Sequence, residues 1–361
     1  MKTKIQDMTS GSPGRLIILF AIPLMLGNIC QQLYTMVDTM VVGQIAGVEA
    51  LAALGAVDFL MWVVTGISTG LTQGFSIQLS QYYGAKDFEN LRKSLAHSYR
   101  LTAFIAVGVF ILSQSFAALV LTGLHTPSNI IGMSLLYLRI IFCGIPATAA
   151  YNMFAAALRA MGNSKTPLTA MIIASVLNIS LDILFVAGFG WGVAGAAIAT
   201  VIAQSFSAVY CFLILRRIDI VHLSRADFMS AAGMNARLMK LGIPVVFQNI
   251  IIGVGGLVVQ YVINGYGFLF VAGFTATNKL YGLLEMAAIS YGYAIVTYVG
   301  QNLGAGKIDR IRKGVRSSML LSLLTSLIIS IAMFLFGFLS KDICLFLVFS
   351  LRRLQHGAEL L

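Results

Sequence analysis

The stretch "QYYGAKDFENLRKSL" at residues 81–95 returns 220 positions later as "QNLGAGKIDRIRKGV" at 301–315. Each copy closes a long apolar run and opens a short basic loop. A second pair lies upstream: "RLIILFAIP" at 15–23 and "RLMKLGIP" at 237–244, with Pro23 and Pro244 offset by 221. Two separate matches at one spacing mark a duplicated unit. Both copies follow an even number of apolar runs, so they share an orientation, as in a parallel repeat about an axis along the membrane normal. The predicted organisation is a first six-helix lobe (1–215), a cytoplasmic linker (216–236), a partial second lobe with helices seven to nine (237–340) and an atypical tail (341–361).

The chain has 361 residues, 58% hydrophobic and 10% charged, with a mean hydropathy of +0.89. That much apolar surface exceeds what a soluble domain can bury and predicts an all-α polytopic membrane protein. Nine runs can be drawn, at 16–42, 52–83, 95–121, 133–157, 168–187, 193–215, 238–263, 270–303 and 317–339. The first is too long for a signal-peptide core and lacks a small-residue cleavage site, so it reads as an uncleaved span. The last apolar run, Ile343–Leu351, is nine residues and too short to cross a bilayer. The repeat spacing would place three more helices beyond residue 361, so the sequence reads as a product truncated or frameshifted after helix nine.

The net charge of +11 does not mark a nucleic-acid partner. Of 24 Lys and Arg residues, 19 fall in the tail and in the loops on the same side, and the opposite loops carry none. The positive-inside rule then places the N-terminus in the cytoplasm of a multi-pass inner-membrane protein. Four cysteines and four histidines are scattered singly, a pattern that predicts neither a disulfide framework nor a metal site, and no cofactor is expected.

Against this apolar background Asp38, in "QQLYTMVDTMVVGQIAG" (31–47), stands out. A carboxylate at mid-membrane costs about 2.5–3.5 kcal/mol even on the mildest scale. Asp38 lies 22 residues after Leu16, roughly 33 Å along a helix and thus in the outer half of its span. Asp182 lies 15 residues beyond Pro167, about 22 Å along its own span and also past the midplane. Tyr34 and Asn178 precede the two acids by four residues and share their helix faces. Thr200 and Tyr137 sit shallowly below the outer surface on neighbouring spans. These six are expected to converge on one outward-facing cavity.

Taken together and in order, "AIPLMLGNICQQLYTMVDTMVVGQIAGVEALAALG", "LRAMGNSKTP", "NISLDILFVAGFGWGVAGAAIAT" and "YVGQNLGAGKIDRIRKG" resemble the prokaryotic multidrug and toxic compound extrusion (MATE) transporters over residues 15–340. The resemblance implies two lobes of six helices and export of organic cations or other amphiphiles, driven by protons or sodium ions moving inward. It implies a cation-coupling role, Na+ included, for Asp38, Asp182 and Asn178, and a cavity lined by Tyr34, Tyr137 and Thr200. Pro23, fifteen residues before Asp38, is a candidate hinge. Glu285 and Gln248 are the second-lobe candidates, while Asn249 and Gln260 read as helix–helix hydrogen-bonding groups. The protein is expected to work as a monomer.

Three other readings compete. A lipid-linked oligosaccharide flippase of the same superfamily is the nearest, and a nonfunctional fragment is another. An intramembrane aspartyl protease is disfavoured because Asp182 follows "NISL" and not Gly-x-Gly. "GWGVAG" (190–195) has the spacing of a dinucleotide loop, but it joins two apolar runs and follows no strand. The charge asymmetry is testable by labelling intact cells with a membrane-impermeant thiol reagent. Glu49→Cys should react from outside and Glu89→Cys only after permeabilisation; the opposite pattern would reject the orientation.

Overall fold

The computed structural model describes residues 6–124, 126–229, 233–264 and 268–339, without most side chains between 260 and 284. The tail after 339, with the short apolar run at 343–351, lies outside the described residues, as do the side chains of Gln260 and Lys279. Every regular element among the described residues is helical. Hydrocarbon offers no water to unpaired backbone groups, and a helix satisfies them within one segment.

The first half contains α1 (Pro13–Ile45), α2 (Val48–Gly55), α3 (Asp58–Gly84), α4 (Phe88–Gly123), α5 (Ile131–Cys143), α6 (Ile145–Ala160), α7 (Lys165–Asp182) and α8 (Gly192–Leu215). After two short 3-10 turns come α9 (Met234–Asn264), α10 (Phe268–Gly304) and α11 (Ile308–Leu339). Among the described residues, seven helical stretches are long and apolar enough to span a bilayer, and the bent pair α5–α6 makes an eighth. The remaining run, 270–303, lies within α10.

Local sequence explains the breaks. The fourth run splits at Gly144, where α5 and α6 meet at 46°. Pro146, at the start of α6, lacks an N–H and crowds the carbonyl of Phe142 one turn back. Pro23, the candidate hinge, is different in kind: α1 runs unbroken through this buried proline. The fifth run ends as a π-helix over Ile183–Gly188, directly after Asp182. Such turns widen the backbone and often mark functional positions. Phe185, Phe189 and Trp191 stack beside it, with ring centroids 5.1–5.9 Å apart.

The two halves meet most closely where α3 lies antiparallel to α9. Gly66, Gly70 and Gly74 form a small-residue ridge on α3, spaced as in the glycine motif that lets membrane helices touch backbone to backbone. A Cβ on Gly70 would lie 2.8 Å from the Val246 nitrogen, and one on Gly74 would overlap the backbone of Gly242. Asn249 donates across the same seam to the Gly66 carbonyl at 3.0 Å, the helix–helix role expected for it. Farther along, Gly300 and Gly304 of α10 seat against Ser80 and Gln81 of α3.

This seam predicts a contrast. Gly74→Leu must push α3 and α9 apart, at a cost of about 1–3 kcal/mol or more for overpacking. Gly55→Leu, where a Cβ meets nothing within 4 Å, should leave the melting temperature of the purified protein near the parent's. Equal melting temperatures for the two variants would show that the seam does not hold the halves together.

Candidate functional site

The buried acids occupy helix faces set by four-residue spacing. Tyr34, Asp38 and Val42 are buried on one stripe of α1. Asn178 and Asp182 form the matching stripe on α7 and are both 0% exposed. Thr200 and Gln204 follow at the same spacing on α8. Tyr137, buried on α5, closes the group from the side.

Two hydrogen bonds tie these stripes together. The Asn178 amide donates to the Thr200 hydroxyl oxygen at 3.4 Å. The Gln204 amide donates to the Tyr34 hydroxyl oxygen, also at 3.4 Å. The Asp38 and Asp182 carboxylates lie within electrostatic reach of each other and of both tyrosines. The structure thus brings all six sequence-predicted residues into one cluster.

The cluster has a surplus of acceptors. Both carboxylate oxygens of Asp182 are buried with no hydrogen-bond donor among the described residues. The same holds for the side-chain oxygens of Asn178 and Gln204. Buried oxygens without donors are expensive. Carboxylate, amide and hydroxyl oxygens around one point are the donor set of a proton or a hard cation.

Gln204 is the residue that sequence reasoning missed. Its signal was available: it lies one turn from Thr200 on the same face of α8. The second-lobe candidates Glu285 and Gln248 are exposed, on α10 and α9. Pro23 lies at 15 positions' remove on α1, buried on the same helix.

Comparison with known proteins places this geometry. The MatE family model matches residues 23–184 and 244–342. The chain belongs to the MatE family. It is 32% identical over 308 residues to a probable multidrug resistance protein, YpnP, of Bacillus subtilis, covering 85% of this chain and 69% of that one. A probable multidrug resistance protein of Thermotoga maritima, NorM, is 26% identical over 325 residues, covering 89% of this chain and 70% of that one. Among solved structures, a MOP superfamily transporter from Pyrococcus furiosus superposes with a TM-score of 0.86 at 22% identity, covering 92% of this chain and 75% of that one. An outward-facing multidrug resistance MATE transporter gives 0.85 at 23% identity, over 93% and 75%. At these identities the structures establish a MATE fold, and the family match establishes a multi-pass membrane transporter of the multidrug efflux type.

Proposed function

We propose that this MatE protein is a secondary antiporter that exports organic cations or other amphiphiles in exchange for protons or sodium ions. In this reading it works as a monomer in the cytoplasmic membrane with its N-terminus inside. The observation that carries the proposal is the fully buried carboxylate of Asp182, without a donor among the described residues, next to Asp38. Two neighbouring buried acids are stabilised when a proton or other cation shares their site.

In the proposed cycle the pair accepts a proton or sodium ion from the outer side, with Asn178, Thr200 and the Gln204–Tyr34 bond setting the geometry. Neutralising the pair weakens its hold on a cationic substrate. Export follows if the neutral and charged forms favour different arrangements of the halves. Pro23, which deprives α1 of one backbone hydrogen bond, is the proposed hinge. One cation charge moving inward contributes about 2.3 kcal/mol per 100 mV of membrane potential.

The test is drug efflux from proteoliposomes under imposed pH or sodium gradients. Asp182→Asn and Asp38→Asn keep the side-chain shape but cannot ionise, so each should bring gradient-driven efflux close to background. Groups acting as one unit are not additive, so the double variant should be little worse than either single. Melting temperatures should stay near the parent's, because each change removes a buried charge without opening a cavity. Efflux with an unchanged pH profile in either variant would make that aspartate a packing residue. Whether the pH or the sodium gradient drives the parent identifies the ion.

A further inference from the structure

The segment before α1 crosses from one half to the other. Met8 is fully buried among Phe20 and Ala21 of α1 and Tyr291, Ala294 and Tyr298 of α10. Its N–H donates to Gln301 Oε1 at 3.0 Å, and its carbonyl accepts from Asn302 Nδ2 at 3.0 Å. The Gln301 amide donates in turn to the Ala160 carbonyl at 2.9 Å, so one side chain joins the segment, the end of α6 and the end of α10. Lys307 reaches the Thr9 carbonyl and Arg310 the Gly11 carbonyl, both at 2.9 Å. On the first half, Gln6 N–H donates to the Gly162 carbonyl at 3.1 Å. Gly162 has φ +90, and any Cβ there would collide with the Gln6 carbonyl.

Residues 224–229 and the first turn of α9 do the converse. Met234 is buried in the first-half core that includes Leu79, Leu91 and Leu95, and its sulfur lies 3.2 Å from Gln78 Nε2. The ring nitrogens of His97 on α4 lie 2.7 Å from Asn235 Oδ1 and 3.2 Å from the Met229 carbonyl. Arg100 donates to the Phe228 carbonyl at 3.0 Å, and Arg92 lies 3.8 Å from Asp227. Burial works against the Asp227 charge, yet the Ser224 amide and hydroxyl, with Arg92 nearby, hold its carboxyl below the usual aspartate range.

We infer that these two segments are reciprocal latches that hold the cytoplasmic face shut, each burying a methionine in the opposite half. Each segment leads into the first span of one half and is bonded to the second and third spans of the other. Both grip the ends that the duplicated motif supplies: α10–α11 on one side and α3–α4 on the other. The cytoplasmic ends of α3 and α10 cannot part while both methionines are seated. The purpose of this closure rests on the proposed transport cycle, but the closure itself is a property of the fold and is measurable without transport.

The measurement uses Ser80→Cys, fully buried between α3 and α10, in a chain whose four native cysteines are replaced by alanine. The labelling rate by an impermeant maleimide is followed on protein reconstituted in nanodiscs. Met8→Asn and Met234→Asn each place an amide in an apolar seat, and each should raise the rate about tenfold. Met8→Leu and Met234→Leu refill the seats and should label at nearly the parent's rate. Where an Asn variant does not fold, Lys307→Gln, which removes the surface bond to Thr9, should still raise the rate about twofold to threefold. Folded Asn variants labelling at the parent's rate, or Leu variants labelling as fast as Asn, would overturn the inference, as would an unchanged rate in Lys307→Gln. A chain that shows these shifts but pumps no drug keeps the latches and loses the antiporter. One that pumps drug at unchanged labelling rates does the reverse.

Discussion

Burying a carboxylate among acceptor oxygens constrains everything around it. Asp182 is 0% exposed and sits at the junction where α7 passes into a π-helix. An ordinary helix could bury this side chain equally well, but the π turn breaks the regular spacing just beyond it. One turn before it Asn178 faces α8 and meets Thr200, and just beyond it Phe185 is pressed against Gly195. The surrounding helices supply oxygens in place of counter-charges. Such a site is poor as a structural ion pair, because breaking even would require a partner cation from the protein. It is well suited to a cation that comes and goes.

The second constraint is how closely the two halves can approach. Lipid tails are as apolar as leucine, so membrane helices gain little from hiding apolar surface from lipid and depend on backbone proximity. The glycine ridge on α3 provides that proximity to α9, and Gly300 and Gly304 extend it to α10. Polar bonds are added at the helix ends nearest the N-terminal segment. There the Arg159 guanidinium lies 4.7 Å from the centre of the Tyr293 ring, linking α6 to α10. The interface is tight at depth, where Asn249 also bonds to the Gly66 carbonyl, and more extensively hydrogen-bonded at the rim.

What the sequence made legible follows from these physical differences. Hydropathy located the runs because burial in lipid leaves a long, unambiguous signal, and four-residue spacing paired Tyr34 with Asp38 and Asn178 with Asp182. The π turn after Asp182 has no comparable signature in "ILFVAG", since the choice between α and π winding is made by neighbours. Pro23 and Pro146 look alike as letters. One is accommodated within a continuous α1, and the other stands at a 46° bend. The ridge at Gly66, Gly70 and Gly74 was readable as a motif, but its partner helix was not. The segment around Met8 is short, polar and aperiodic, so nothing in it announces that its methionine is buried.

The acid cluster and the Met8 segment are joined by one helix. α1 spans 33 residues, about 50 Å, and carries the acid cluster toward one end and the Met8 segment at the other. Between them its inner face, Phe20, Ala21 and Leu24, lies with Tyr291 and Ala294 of α10, and Asn28 donates to Ser290 at 3.1 Å. A bend at Pro23 would therefore have to occur within the stretch that contacts the second half. If charge at Asp38 and Asp182 changes the preferred shape of α1, the contacts to α10 must change with it. Coupling between a buried proton or ion and the opposite face of the membrane then needs no relay of side chains. In the proposed cycle it would need one helix with two shapes, held at one end by electrostatics and at the other by a seated methionine.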